Sequence, residues 1–149
     1  MELKECLRPN LIQIKQSPQD WEEAIRMVGR ILVADGATEP RYIDGMIRVA
    51  HEFGPYIVIA PGFAMPHARP EDGVIRTSMS MITLSEPLNF GNEDNDPVRV
   101  VLALAAANHD DHVGALAQLA EAISGDGVID QLAEANSVEE VYEILGGNA

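Results

Sequence analysis

Tyr56-Ile57-Val58-Ile59-Ala60-Pro61-Gly62-Phe63-Ala64-Met65-Pro66-His67-Ala68-Arg69-Pro70 passes from an unbroken apolar run into a segment crowded with proline and glycine. Residues 56–60 are too few for a helix and too uniformly apolar for an exposed strand, so they read as a buried strand that stops at Pro61-Gly62. Residues 61 to 73 hold Pro61, Gly62, Pro66, Pro70 and Gly73 among His67, Arg69, Glu71 and Asp72, a composition that predicts a loop without regular structure. Polar loops carried directly on buried elements are where sites tend to lie.

Upstream, Leu11-Ile12-Gln13-Ile14 alternates like a short strand, and Ser17-Pro18-Gln19-Asp20 predicts a helix start with Ser17 as cap and Pro18 in the first helical position. Trp21, Ile25, Val28 and Leu32 recur at helical spacing as far as a stop at Gly36, and a second helix follows from about Pro40, with Ile43, Met46, Ile47 and Ala50 on one face and Gly54-Pro55 ending it. Downstream, Thr77 to Leu84 reads as a strand and Val98 to Ala105 as a central one, separated by a loop containing Gly91 and Asn95-Asp96-Pro97. From His112 onward, Leu116, Leu119, Ala120 and Ile123 take helical spacing, with Asp110 or Asp111 suited to cap the start. Two further helices fit 127–135 and 138–146, the latter opened by Ser137 with Glu140 in a capping box. The order β-α-α-β-β-β-α-α-α predicts one α/β domain over 1–149, with helices available for both faces of a sheet.

A chain of 149 residues with 46% hydrophobic content can fold around one core without a disulfide or metal. Cys6 is the single cysteine, so an internal disulfide and a multi-cysteine zinc site are excluded, and a reducing compartment suits it. Met1-Glu2-Leu3-Lys4-Glu5 lacks the order of a signal peptide and no window approaches the roughly 18 apolar residues of a span, so a cytoplasmic location is expected, without membrane insertion. Ten Lys plus Arg against 24 Asp plus Glu give a formal charge of −14, which disfavours nucleic acid and anionic lipid as partners; the acid excess serves solubility or basic protein partners.

The chain has four histidines. His51, near the end of the second helix, suits a structural role at the negative pole of the helix dipole. His67 differs, because Pro66 restrains the backbone around it before any tertiary contact forms; the competing reading is an incidental histidine in a surface turn. His109 and His112 are three apart with Asp110 and Asp111 between them, so a metal site built from these and His67 is conceivable, although the His-Glu-x-x-His signature is absent. A phosphoryl site uses the same residues more economically: a helix N-terminus presents N–H groups and positive potential to an anion, and His112 in that first turn adds a donor.

Gly62-Phe63-Ala64-Met65-Pro66-His67-Ala68 resembles the phosphorylation-site signature of the mannitol/fructose-class enzyme IIA domains of the bacterial phosphoenolpyruvate-dependent phosphotransferase system. The likeness continues through Asn95-Asp96-Pro97-Val98 and the strand after it to His112, Val113, Leu116 and Leu119. Glu39-Pro40-Arg41-Tyr42, Gly54-Pro55-Tyr56, Ala60-Pro61-Gly62, Arg69-Pro70-Glu71 and Glu93-Asp94-Asn95-Asp96-Pro97-Val98 look most like the L-ascorbate-specific IIA proteins. The resemblance implies a three-layer α/β/α sandwich with a mixed sheet. It implies His67 as phosphoryl acceptor, assigned as a tele-phosphohistidine although one sequence does not itself select the ring nitrogen, and His112 as a second active-site histidine that stabilises the phosphate. It implies the carrier HPr as donor, a cysteine on a IIB protein as acceptor, a membrane IIC component that binds the sugar, no cofactor, and room for a homodimer. Val49-Ala50 stands where many mannitol-type relatives carry Arg-Glu, which leaves Arg69 to substitute for a phosphate-binding arginine, while His109 reads as a solvent-exposed neighbour. Cys6 has no preceding strand or following phosphate loop, so it is not read as a fused IIB nucleophile. Two rivals stand beside the carrier: a regulatory IIA-like protein whose phosphorylation state controls a partner, and a metal-dependent hydrolase using the histidines.

Overall fold

In the computed structural model, which describes residues 2–147 and so leaves out Met1 of the charged N-terminal run, the elements follow one another as α1 (Leu3–Cys6), β1 (Ile12–Gln16), α2 (Trp21–Ala34), α3 (Arg41–Phe53), β2 (Val58–Ala60), β3 (Phe63–Ala64), β4 (Ser78–Leu88), β5 (Val98–Ala105), α4 (His109–Ile123), α5 (Val128–Glu134) and α6 (Val138–Gly147). The strands form one mixed sheet in the order β1-β4-β5-β3-β2, in which β1 is parallel to β4, β4 antiparallel to β5, β5 parallel to β3 and β3 antiparallel to β2. β5 is the middle strand because every residue in it but Arg99 is apolar and buried, a sequence that only a site covered on both faces accommodates. Helix α2 packs on β4 and β5 through the fully buried Ile25, Val28 and Leu32 and carries α3, while α5, with α6 against it, covers the sheet from the other side. The three-layer α/β/α architecture with a mixed sheet is therefore as the resemblance implies. Among the described residues no helix is long and apolar enough to cross a membrane.

Five local expectations need correction. The run 56–60 is not a buried strand: a 3₁₀ turn takes Pro55–Ile57, and β2 lies at the sheet edge with Ile59 45% and Tyr56 80% exposed. The loop expected from residue 61 starts later, because Phe63 and Ala64 are fully buried and pair with Val100 and Val101 of β5 as the strand β3. Asp20, not Ser17, caps α2 by accepting the Glu23 N–H at 2.8 Å, since the Ser17 hydroxyl is engaged with that of Ser85. Asn108, not Asp110 or Asp111, caps α4, accepting the Asp111 N–H at 2.8 Å; Asp111 is unavailable because its carboxylate binds the Thr77 hydroxyl at 2.6 Å. At α6 the Ser137 hydroxyl accepts the Glu140 N–H as the capping box requires, while the Glu140 carboxylate returns to Asn136 N–H, one residue earlier than that motif specifies.

The β2–β3 turn is braced by the loop before β5. Gly62, at φ +79°, donates its N–H to Asn95 O at 2.9 Å, and Asn95 Nδ2 donates to Val58 O at 3.2 Å. The residues beyond β3 thus leave the sheet from a fixed point.

Candidate functional site

His67 stands three residues beyond β3, still in register with the sheet: the Leu104 N–H of β5 donates to Pro66 O at 3.1 Å. The next residue is tied down through α3. The Ala68 N–H donates to the Tyr42 hydroxyl at 3.0 Å, and that hydroxyl donates to Leu104 O at 2.7 Å. Burial pushes the Tyr42 phenol up to about 12, so it keeps the proton this bridge requires. The backbone on both sides of His67 is therefore bonded to the central strand, on one side directly and on the other through one phenol.

The imidazole is fixed as well. His67 Nδ1 lies 3.1 Å from Met65 O, and because a carbonyl only accepts, the nitrogen that bonds to it carries the ring proton. Nε2 is left with its lone pair. The ring of His112, in the first turn of α4, stands 5.5 Å from that of His67 between centroids, tilted by 52°. Burial, then the neighbouring His67 and His109, hold the His112 imidazole below its ordinary value of 6.5, so near neutral pH it is an uncharged donor or acceptor.

These two histidines line an open cleft of about 810 Å³ with Arg48, Glu52, Arg69 and His109 among its polar residues and Val49, Phe53 and Tyr56 among its apolar ones. Arg69 lines the cleft, largely exposed, with its Nε 3.6 Å from Asp72 Oδ2. His109 is the exposed first residue of α4 and also reaches the cleft. His51 is elsewhere, packed edge-on against Trp21 at 5.0 Å between centroids and 3.5 Å from Glu22, in keeping with a structural role. The conceived metal cluster is not assembled: among the described residues no three His, Cys, Asp or Glu side chains are placed to hold a metal ion. Cys6 is buried, and burial pushes its thiol up, away from nucleophilic reactivity.

The reading by sequence missed Arg48 and Tyr42. Both belong to one stripe of α3, with Gly45 midway and Glu52 one turn on, that faces the 67–72 loop. Their spacing of three and four is the available signal, but nothing in the sequence says which loop the stripe meets. The Arg48 guanidinium donates to Asp72 Oδ1 at 2.8 Å, and Asp72 Oδ2 accepts the Arg69 N–H at 3.0 Å. Burial pushes the Asp72 carboxyl up, but these hydrogen bonds and the two guanidinium charges outweigh it and hold the group below its usual range.

An imidazole with a fixed tautomer, a second imidazole opposite and guanidinium groups around an open cleft can accept an electrophilic anion and hold it. The start of α4 adds backbone N–H groups to the same wall. Comparison with known proteins points the same way. The family described as phosphoenolpyruvate-dependent sugar phosphotransferase system, EIIA 2, matches residues 5–147. An ascorbate-specific PTS system EIIA component of Salmonella paratyphi A is 38% identical over 148 residues, covering 97% of this chain and 96% of the relative. The solution structure of the mannitol-specific cryptic phosphotransferase enzyme IIA of Escherichia coli superposes with a TM-score of 0.87 at 33% identity, covering 99% of both chains. Enzyme IIAMTL of Escherichia coli, in its complex with phosphorylated enzyme IIBMTL, superposes with a TM-score of 0.82 at 32% identity, covering 94% of this chain and 96% of that one.

Proposed function

Since this chain belongs to the EIIA type 2 family of the phosphoenolpyruvate-dependent sugar phosphotransferase system, we propose that its His67 accepts a phosphoryl group from phospho-HPr and passes it to a cysteine of a IIB protein. The observation that carries this reading is the bond from His67 Nδ1 to Met65 O, which leaves Nε2 as nucleophile on a backbone braced to the central strand. As Nε2 forms its bond to phosphorus, the donor's N–P bond breaks and its electron pair returns to the donor ring. Nδ1 keeps its proton throughout, so no base is needed, and the product is a tele-phosphohistidine. Such a transfer passes through a loose, in-line transition state in which positioning and charge stabilisation do most of the work.

His112 and the first turn of α4 supply that stabilisation, with the His112 N–H donating to a phosphoryl oxygen. His112→Ala is expected to fold and to slow phosphorylation about 10- to 100-fold in rapid-quench experiments; an unchanged rate would remove His112 from the mechanism. Its titration carries a second prediction. The native imidazole titrates below 6.5, so between that lower value and 6.5 the unfolded chain binds more protons, and the stability contributed by His112 is lost as pH falls through this window. A phosphoryl dianion on His67 acts in the opposite sense, so histidine NMR titration should show the His112 midpoint rising on phosphorylation. A midpoint that stays put or falls would mean that the two groups do not meet.

The onward partner is a IIB protein, and through it a membrane IIC component; the neighbouring Escherichia coli structure pairs enzyme IIAMTL with phosphorylated enzyme IIBMTL. Ascorbate is the favoured sugar, on the strength of the 38% identity to an ascorbate-specific component. The cytoplasm is where HPr delivers its phosphoryl group. The reading is tested by incubating the protein with phosphoenolpyruvate, Enzyme I and HPr, measuring intact mass at neutral pH and mapping the modified residue. One acid-labile phosphoryl group on His67, discharged by the IIB of an ascorbate system, is the expected result; no gain with an active donor would refute it.

A further inference from the structure

The first turn of α4 carries His112 to the cleft, and one buried hydroxyl ties that turn to the sheet. Thr77 immediately precedes β4, where Ser78 pairs with Ala105 at the end of β5. Its Oγ1 accepts the Ala107 N–H at 2.9 Å and donates to Asp111 Oδ2 at 2.6 Å. Asn108 lies between these two partners in the chain and caps the helix. Its side-chain oxygen accepts the Asp111 N–H at 2.8 Å, and its carbonyl accepts the His112 N–H at 3.1 Å. The link into α4, the cap and the third helical residue are thereby closed into one ring through a single threonine.

That ring separates two kinds of residue. Asn108, His109 and His112 line the cleft, whereas the Asp111 carboxylate is bonded to Thr77, which is buried. A carboxylate in the first turn of a helix is drawn to the N–H groups there, the place an arriving anion would take, and it repels a phosphoryl dianion. Bonding to Thr77 gives the Asp111 carboxylate a partner on the sheet side instead. The next residue is His112, so a rotation of this turn passes directly to the imidazole that stands 5.5 Å from the ring of His67.

We infer that Thr77 is a positioning residue for phosphoryl transfer, which through Asp111 fixes the first turn of α4 and so the place of the His112 ring. This rests on His67 being the acceptor and on His112 attending its phosphoryl group. Loss of the hydroxyl leaves the Ala107 N–H and the Asp111 carboxylate without their shared partner and frees the turn to shift. A displacement of about 1 Å at a group acting on the transition state costs on the order of 100-fold, and a smaller one less. Thr77 itself is buried, so a partner docking on the cleft does not meet it and its affinity should not change.

Thr77→Val, Thr77→Ser, Asp111→Ala and His112→Ala, singly and combined, are to be phosphorylated with phosphoenolpyruvate, Enzyme I and HPr. Rates come from rapid-quench intact mass, at a temperature where denaturant titration shows each variant folded. Thr77→Val should label His67 about 10-fold more slowly at saturating phospho-HPr, with the KM for phospho-HPr unchanged. Thr77→Ser, which restores the hydroxyl, should recover the rate to within about twofold of the unmodified protein. Thr77→Val should add nothing to Asp111→Ala, and in the His112→Ala background its effect should shrink to within about twofold, because the changes disable one unit. Should Thr77→Val not fold, Asp111→Ala carries the same prediction from the other end of the bond. A folded Thr77→Val that is less stable but transfers at the wild-type rate would overturn the positioning role. The full effect of Thr77→Val persisting without His112 would overturn it as well. Absence of label on His67 in the unmodified protein would instead overturn the carrier reading, and this role with it.

Discussion

The His67→Ala variant is expected to fold normally and to gain no acid-labile phosphoryl group from HPr, a complete loss rather than a slowed reaction. The fold should survive because the contacts that shape this segment belong to the backbone. Leu104 N–H to Pro66 O, Met65 N–H to Ile57 O and Ala68 N–H to the Tyr42 hydroxyl are all untouched by truncating the imidazole. What is lost is one hydrogen bond from Nδ1 to Met65 O in a half-buried ring, a cost of about 1 kcal/mol. The chemistry, by contrast, has no replacement nucleophile. His112 faces the same cleft, but it sits on α4 rather than on the braced loop, and burial and two neighbouring histidines already bias it against charge. His109 is exposed at the first position of α4. Intact mass and peptide mapping decide the matter: phosphate appearing on His109 or His112 of the variant at a comparable rate would show that the cleft is right and the acceptor wrong.

The sequence made this arrangement partly legible, and the boundary has a physical cause. Val98–Ala105 could be placed centrally because two buried faces demand an unbroken apolar run, and the peculiarity of Pro66-His67 was visible because proline restricts the chain locally. The strand at Val58–Ala60 was misjudged for a related reason: a short apolar run signals burial, yet Ile59 and Tyr56 are exposed at the sheet edge and beside the cleft, where apolar side chains suit a partner's surface. Two-residue β3 escaped because Phe63-Ala64 carries no period, only burial. Arg48 escaped because its meaning depends on Asp72, 24 residues away, and only the packing of α3 on the loop joins them. Local chain chemistry marks the proposed nucleophile; long-range register decides which charges attend it.

That dependence on α3 gives the second large effect, expected of Tyr42→Phe. The substitution keeps the ring and its packing and removes one oxygen atom. With that oxygen go the acceptor of Ala68 N–H at 3.0 Å and the donor to Leu104 O at 2.7 Å. The Leu104 carbonyl lies where water does not readily replace the hydroxyl, since Leu104 and the Tyr42 side chain are buried, whereas Ala68 is half-buried at the cleft. Leaving the buried Leu104 acceptor unpaired costs about 1–3 kcal/mol, so a loss of roughly that size in a denaturant titration is expected, a large share of a total of about 5–15 kcal/mol. Transfer should suffer beyond stability, because Ala68 is the far anchor of the His67 backbone and a displacement of about 1 Å at a reacting atom costs on the order of 100-fold. At a temperature where the variant remains folded, single-turnover phosphorylation should therefore fall about 10- to 100-fold with the affinity for HPr unchanged. Its pH profile should match that of the unmodified protein, since a phenol pushed up to about 12 has no proton to exchange near neutrality. A stability change within about 0.5 kcal/mol would show the bridge to be redundant. A changed pH profile with intact stability would instead place the Tyr42 hydroxyl in the chemistry, a role its burial between two backbone groups argues against.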